Sequence, residues 1–169
     1  MTEIDAGRLY AGARESISDL VRSLSQGRLA APVPAQPGLT VHDVISHLAG
    51  VATDAVNTVD DGPSGDAAAR HVADRSDTPT SVVLREWERS SSQFEVLLTK
   101  GGQRLPAEVL DVITCEHDIR GAVGMPGSRE DDPLRAAASL ARRFSGTTDP
   151  ASYVDLLCLN GCSPTDIVE

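Results

Sequence analysis

Aromatic residues are scarce in this chain: two Phe, two Tyr and one Trp make up 3% of its 169 residues. Leu, Val, Ile and Ala must therefore fill most of the core, a composition that suits packed helices. Cysteine is equally sparse. Three cysteines, an odd number, with no export signal exclude a disulfide framework and leave reduced thiols as the expectation. No apolar run approaches the roughly 20 residues that cross a bilayer. The opening MTEIDAGRLY lacks the basic-then-apolar order of a secretory signal, so a cytoplasmic location is expected. Basic residues are in deficit, 15 against 25 acidic ones, for a formal charge of -10. Such a surface repels phosphate backbones and anionic membranes, so neither nucleic acid nor a membrane is an expected partner. Sustained two-residue alternation, internal repeats and low-complexity tracts are all missing, which argues against strands and repeat architectures. The Gly101-Gly102 pair follows a helix rather than a strand and makes no phosphate loop. Ser90, Ser91 and Ser92 have no partner at a hydrolase spacing.

What is present reads as helices punctuated by Pro and Gly. The first is predicted from about Ile4 to Leu24, with Gly27 as a plausible stop. Three prolines make Ala30 to Gly38 (AAPVPAQPG) an extended connector. Thr40 then offers an N-cap, with Asp43 three places on as a variant capping box, ahead of a helix carrying His47. The segment Asp60 to Asp77 is polar and long for a loop, and it reads as a crossover carrying a short helical piece. A long helix from about Pro79 to Lys100 has Val82, Val83, Trp87, Phe94, Leu97 and Leu98 on its apolar side. Another, about Pro106 to Val123, closes at Gly124. Two further amphipathic pieces are predicted, from Asp132-Pro133 to near Gly146 and from Asp149-Pro150 to Leu159. The length suits a single domain over residues 1–169, and a bundle of this size could pair as a homodimer.

The helix ending at Gly124 holds the unusual polar residues. Asp111 and Cys115 are four apart and Asp118 is seven from the first, so all three project from roughly one face. Two side chains one turn apart can converge on one ion, and a histidine from a neighbouring helix, with His47 the natural candidate, could supply a third ligand. Imidazole, thiolate and carboxylate together form a borderline-soft set that favours zinc and leaves a position open for water or substrate. From spacing alone, a surface carboxylate and a small buried thiol satisfy the same pattern. His117 lies about 600° around the helix from Asp111, off that face, and reads as a surface or supporting group. His42 and His71 sit among polar residues and are expected to be solvated. Asp118 and Arg120 read as cap or surface pairing, or as support for the site, and Cys158 and Cys162 as unrelated thiols.

Three segments carry a resemblance. TVHDVISHLAG after PAQPG, SVVLREWERSSSQFEVLL, and DVITCEHDIRGAVGMPG together resemble the mycothiol-dependent maleylpyruvate isomerase branch of the DinB/YfiT-like superfamily, over about Arg14 to Gly127. The resemblance implies an all-α, DinB-like four-helix bundle with a long crossover and short additional C-terminal helices. It also implies a divalent metal held by one histidine of the second helix and two ligands of the fourth, which map to His47, Asp111 and Cys115. Family members usually have His where this chain has Cys115, and Trp where it has Leu39. The function so implied is a metal-dependent isomerase or transferase that sets a thiol cofactor, mycothiol, against a small electrophilic substrate. The alternative, motivated by Cys115, is a non-catalytic metal-binding or regulatory bundle on the same scaffold.

Overall fold

The computed structural model describes residues 5–58, 66–100 and 107–125. Six helices account for most of them, with no strand among the described residues: α1 (Ala6–Arg22), α2 (Gln26–Leu29), α3 (Val41–Asn57), α4 (Asp66–Ala73), α5 (Thr80–Lys100) and α6 (Ala107–Ala122). The all-α class read from the sequence is the observed one. The two helices predicted beyond Pro133, together with Cys158 and Cys162, lie outside the described residues.

Local signals explain where the helices begin. At α1 the Asp5 side chain accepts a hydrogen bond from the Arg8 backbone N–H at 3.3 Å. Thr40 opens α3 with a complete capping box, its hydroxyl accepting from Asp43 N–H at 3.3 Å and its own N–H donating to Asp43 Oδ2 at 2.8 Å. At the far end of α6, Gly124 adopts a left-handed φ of 64°, the conformation that glycine takes without steric cost.

Three expectations need correction. Gly27 does not stop the first helix, which ends at Arg22; it lies within α2, a single turn the apolar periodicity was too short to reveal. The proline-rich connector is not simply extended. It turns back on itself, with Val33 N–H bonded to Leu39 O at 2.9 Å and Val41 N–H to Ala31 O at 3.0 Å. Val82 and Leu97 face solvent, 40% and 45% exposed, whereas Val83, Trp87, Phe94 and Leu98 are buried. The register of α5 against its two neighbours selects the narrower stripe.

The four long helices α1, α3, α5 and α6 pack as a bundle in which α5 and α6 each touch both α1 and α3. Between α3 and α5 in sequence, α4 lies along α3. The turn after it is held by Arg75, whose guanidinium contacts Glu86 of α5 at 2.5 and 3.1 Å. The core is mostly aliphatic, with Tyr10, Trp87 and Phe94 buried among the aliphatic residues; Trp87 is completely buried and donates from Nε1 to the Tyr10 hydroxyl at 2.7 Å. Among the described residues, no helix is long and apolar enough to cross a membrane.

Candidate metal centre

His47 lies two turns into α3, and Asp111 lies near the start of α6, 64 positions later. Where the two helices pack, His47 Nε2 stands 3.1 Å from Asp111 Oδ2. Both side chains keep contact with solvent, at 21% and 38% exposure. Cys115, one turn beyond Asp111, is by contrast only 1% exposed. Its thiol donates toward Asp111 Oδ1 at 3.8 Å and accepts from Gln36 Nε2 at 3.5 Å. The same Gln36 amide donates to Asp118 Oδ2 at 2.9 Å, so the turned connector straps the buried side of α6.

Burial pushes the Cys115 thiol well above its ordinary value, and the neighbouring Asp111 carboxylate pushes in the same direction. The sulfur is therefore a protonated thiol at neutral pH while no cation opposes that charge.

The donors fit a divalent ion in part. Two ligands about 2.1 Å from one ion at tetrahedral angles stand about 3.4 Å apart, and the 3.1 Å between His47 Nε2 and Asp111 Oδ2 is close to that separation. The Cys115 sulfur rests against the carboxylate's second oxygen. Among the described residues, however, no group of three or more His, Cys, Asp or Glu side chains is gathered closely enough to hold a metal ion. The histidine and the carboxylate make the matched pair; the sulfur adjoins it.

Sequence reasoning missed a fourth participant. His71, expected to be solvated, is buried at 4% exposure on α4, with its ring centroid 5.5 Å from that of His47. Its Nδ1 lies 3.5 Å from His47 Nδ1, and its Nε2 lies 2.7 Å from Asp54 Oδ2. Asp54 also takes a bond from Arg70 at 2.5 Å. Burial raises the Asp54 carboxyl, but the bonds from His71 and Arg70 outweigh it and hold the group below the ordinary range. Room for the ring comes from Gly50, where a Cβ would overlap Cγ, Cδ2 and Cβ of His71. A signal was available on α3, since His47, Gly50 and Asp54 fall on one face with the smallest residue between two polar ones.

The other singled-out residues lie to the side. His42 is half-buried rather than solvated, its Nδ1 2.8 Å from Thr80 Oγ1 and its Nε2 3.2 Å from Arg75 O, which ties the starts of α3 and α5. Asp118 is 5% exposed, buried under Gln36 rather than paired at the surface. Arg120 pairs with Glu116 at 2.9 Å and Ser16 at 2.8 Å along α1, the pairing expected of it. His117 is half-buried and off the face shared by Asp111 and Cys115.

No curated protein and no solved structure matches the chain at a significant level. A family profile does. Described as the mycothiol maleylpyruvate isomerase N-terminal domain, it matches residues 10–152, a span that takes in His47, Asp54, His71, Asp111 and Cys115. With most of its length inside that match, and with the helical architecture described above, the chain belongs to the mycothiol maleylpyruvate isomerase N-terminal domain family.

Proposed function

We propose that the chain is a divalent-metal-dependent isomerase or transferase that uses mycothiol, or a thiol like it, against a small electrophilic molecule. The ion, zinc by preference, is held by His47, Asp111 and Cys115. One observation carries this reading: an imidazole nitrogen and a carboxylate oxygen from two separate helices meet at 3.1 Å with a sulfur beside them, in a family named for a mycothiol-dependent isomerase.

A bound divalent ion would supply Lewis acidity and lower the pKa of a coordinated thiol or water. His47 offers Nε2, while Asp111 offers Oδ2 and adds the negative charge that draws a cation in. Cys115 contributes its sulfur once ionised. Gln36 and Asp118 close the buried side and keep water from the sulfur, so that small molecules approach from the exposed side of Asp111.

Metal analysis of the purified protein tests the reading. About one divalent ion per chain is expected in the wild type, and little in His47→Ala or Asp111→Ala. Mycothiol-dependent isomerisation of maleylpyruvate should be lost in the same variants. A wild-type chain that takes up no stoichiometric zinc, nickel or iron sinks the proposal.

Cys115 supports a second reading, a bundle that binds metal without turnover. A thiolate ligand adds negative charge and reduces the Lewis acidity of zinc. Cys115→His separates the two readings: thiol-dependent activity that emerges only in the variant marks the natural chain as a binder.

A further inference from the structure

The polar chain from α4 to α6 can be followed one hydrogen at a time. An ionised carboxylate only accepts, so the hydrogen between Asp54 Oδ2 and His71 Nε2, 2.7 Å apart, belongs to His71. At a pH above the ordinary imidazole range, where a ring carries one N–H, this leaves His71 Nδ1 as an acceptor. His47 Nδ1 lies 3.5 Å from that atom, at the long end of hydrogen-bond distance, and must be the donor there. The same count leaves His47 Nε2 bare, although it faces Asp111 Oδ2 at 3.1 Å. Two acceptors at that distance repel each other unless a positive charge lies between them, either the extra proton of an imidazolium or a metal ion.

We propose that His71, anchored by Asp54, is a positioning residue that keeps the hydrogen of His47 on Nδ1 and so presents Nε2 to a divalent cation shared with Asp111. This inference rests on the metal reading above. Histidines that bind metals generally donate their second ring N–H to an outer partner, which sets both tautomer and ring orientation. Here the partner comes from the crossover helix, and the arrangement is built rather than incidental. His71 is 4% exposed, a Cβ on Gly50 would exclude its ring, and Arg70 holds Asp54 from the other side. The crossover thereby gains a task beyond connecting α3 to α5.

Two measurements test the inference. In metal-free protein about two pH units above the ordinary imidazole value, nitrogen-proton correlation spectra report the tautomer of each ring. His71 is expected to carry its hydrogen on Nε2 and His47 on Nδ1, and Asp54→Asn to mix the two forms of His71. Zinc affinity, measured by competition with a chelator, is expected to fall about 10- to 100-fold in His71→Leu. His71→Asn, whose amide oxygen can replace Nδ1 as acceptor, should restore most of that loss.

Zinc uptake with the hydrogen of His47 on Nε2 overturns this inference alone. So does a His71→Leu variant that binds zinc within about threefold of the wild type. No zinc uptake by the wild type overturns the metal reading beneath it. Should His71→Leu fail to fold, the wild-type and Asp54→Asn spectra still decide between the two tautomers of His47.

Discussion

Where α1 meets α5, Tyr10 stands edge-on to Phe94 with ring centroids 5.1 Å apart and accepts the Trp87 indole hydrogen. Where α3 meets α6, His47 faces Asp111, with Cys115 beside the carboxylate and His71 behind the imidazole. The first seam is dry enough that burial pushes the Tyr10 hydroxyl up to about 12. The second stays partly open to solvent. The three aromatic residues among the described ones, Tyr10, Trp87 and Phe94, thus gather at the first seam, while the second carries polar groups that contribute less to stability.

The contrast can be broken most forcefully at Trp87. Trp87→Ala removes a fully buried indole and is expected to cost about 3–5 kcal/mol in urea unfolding, while the fraction that remains folded keeps its affinity for zinc. Tyr10→Phe is gentler, since it preserves the ring contact but strips the Trp87 N–H of its buried acceptor. A loss of about 1–3 kcal/mol is expected, again with the His47 resonances unmoved.

Gly50→Ala works on the polar seam. It drives a methyl group into the His71 ring, and overpacking of this kind costs about 1–3 kcal/mol. Here the His47 resonances should shift. An alanine that left them unchanged would show that α3 and α4 do not approach as closely as described.

Glu86 provides the smallest effect. Burial raises its carboxyl, but the hydrogen bonds from Arg75 and Thr53 outweigh burial and hold it below the ordinary range. A group with a depressed folded value stabilises the fold at neutral pH and loses that contribution as pH falls through that value. Glu86→Gln should therefore be less stable than wild type near neutrality and converge with it in acid. Urea titrations at both pH values would show a constant gap instead if the ion pair with Arg75 did not form.

Much of the scaffold was legible because its signals are local. The capping box of Thr40 and Asp43, the stop at Gly124 and the burial of Trp87 each follow from a few neighbouring residues. Legibility failed where a neighbour on another helix decided the outcome. Val82 and Leu97 are apolar but sit beyond the stripe that α1 and α3 cover. His71 looked solvated because its own segment is polar, and the Asp54 that buries it belongs to a different helix. Of the two readings of Asp118, surface pairing failed for the same reason, since Gln36 reaches it from 82 positions away.

Among the described residues, the chain by itself determined where the four long helices run and which residues share a face, because helix geometry converts spacing into direction within one element. It therefore put Asp111 beside Cys115. Only the tertiary structure decided that His47 would meet Asp111 and that His71 would stand behind His47. Those meetings depend on which helices lie side by side and at what height, which is set by how the whole core packs and not by any one stretch of sequence.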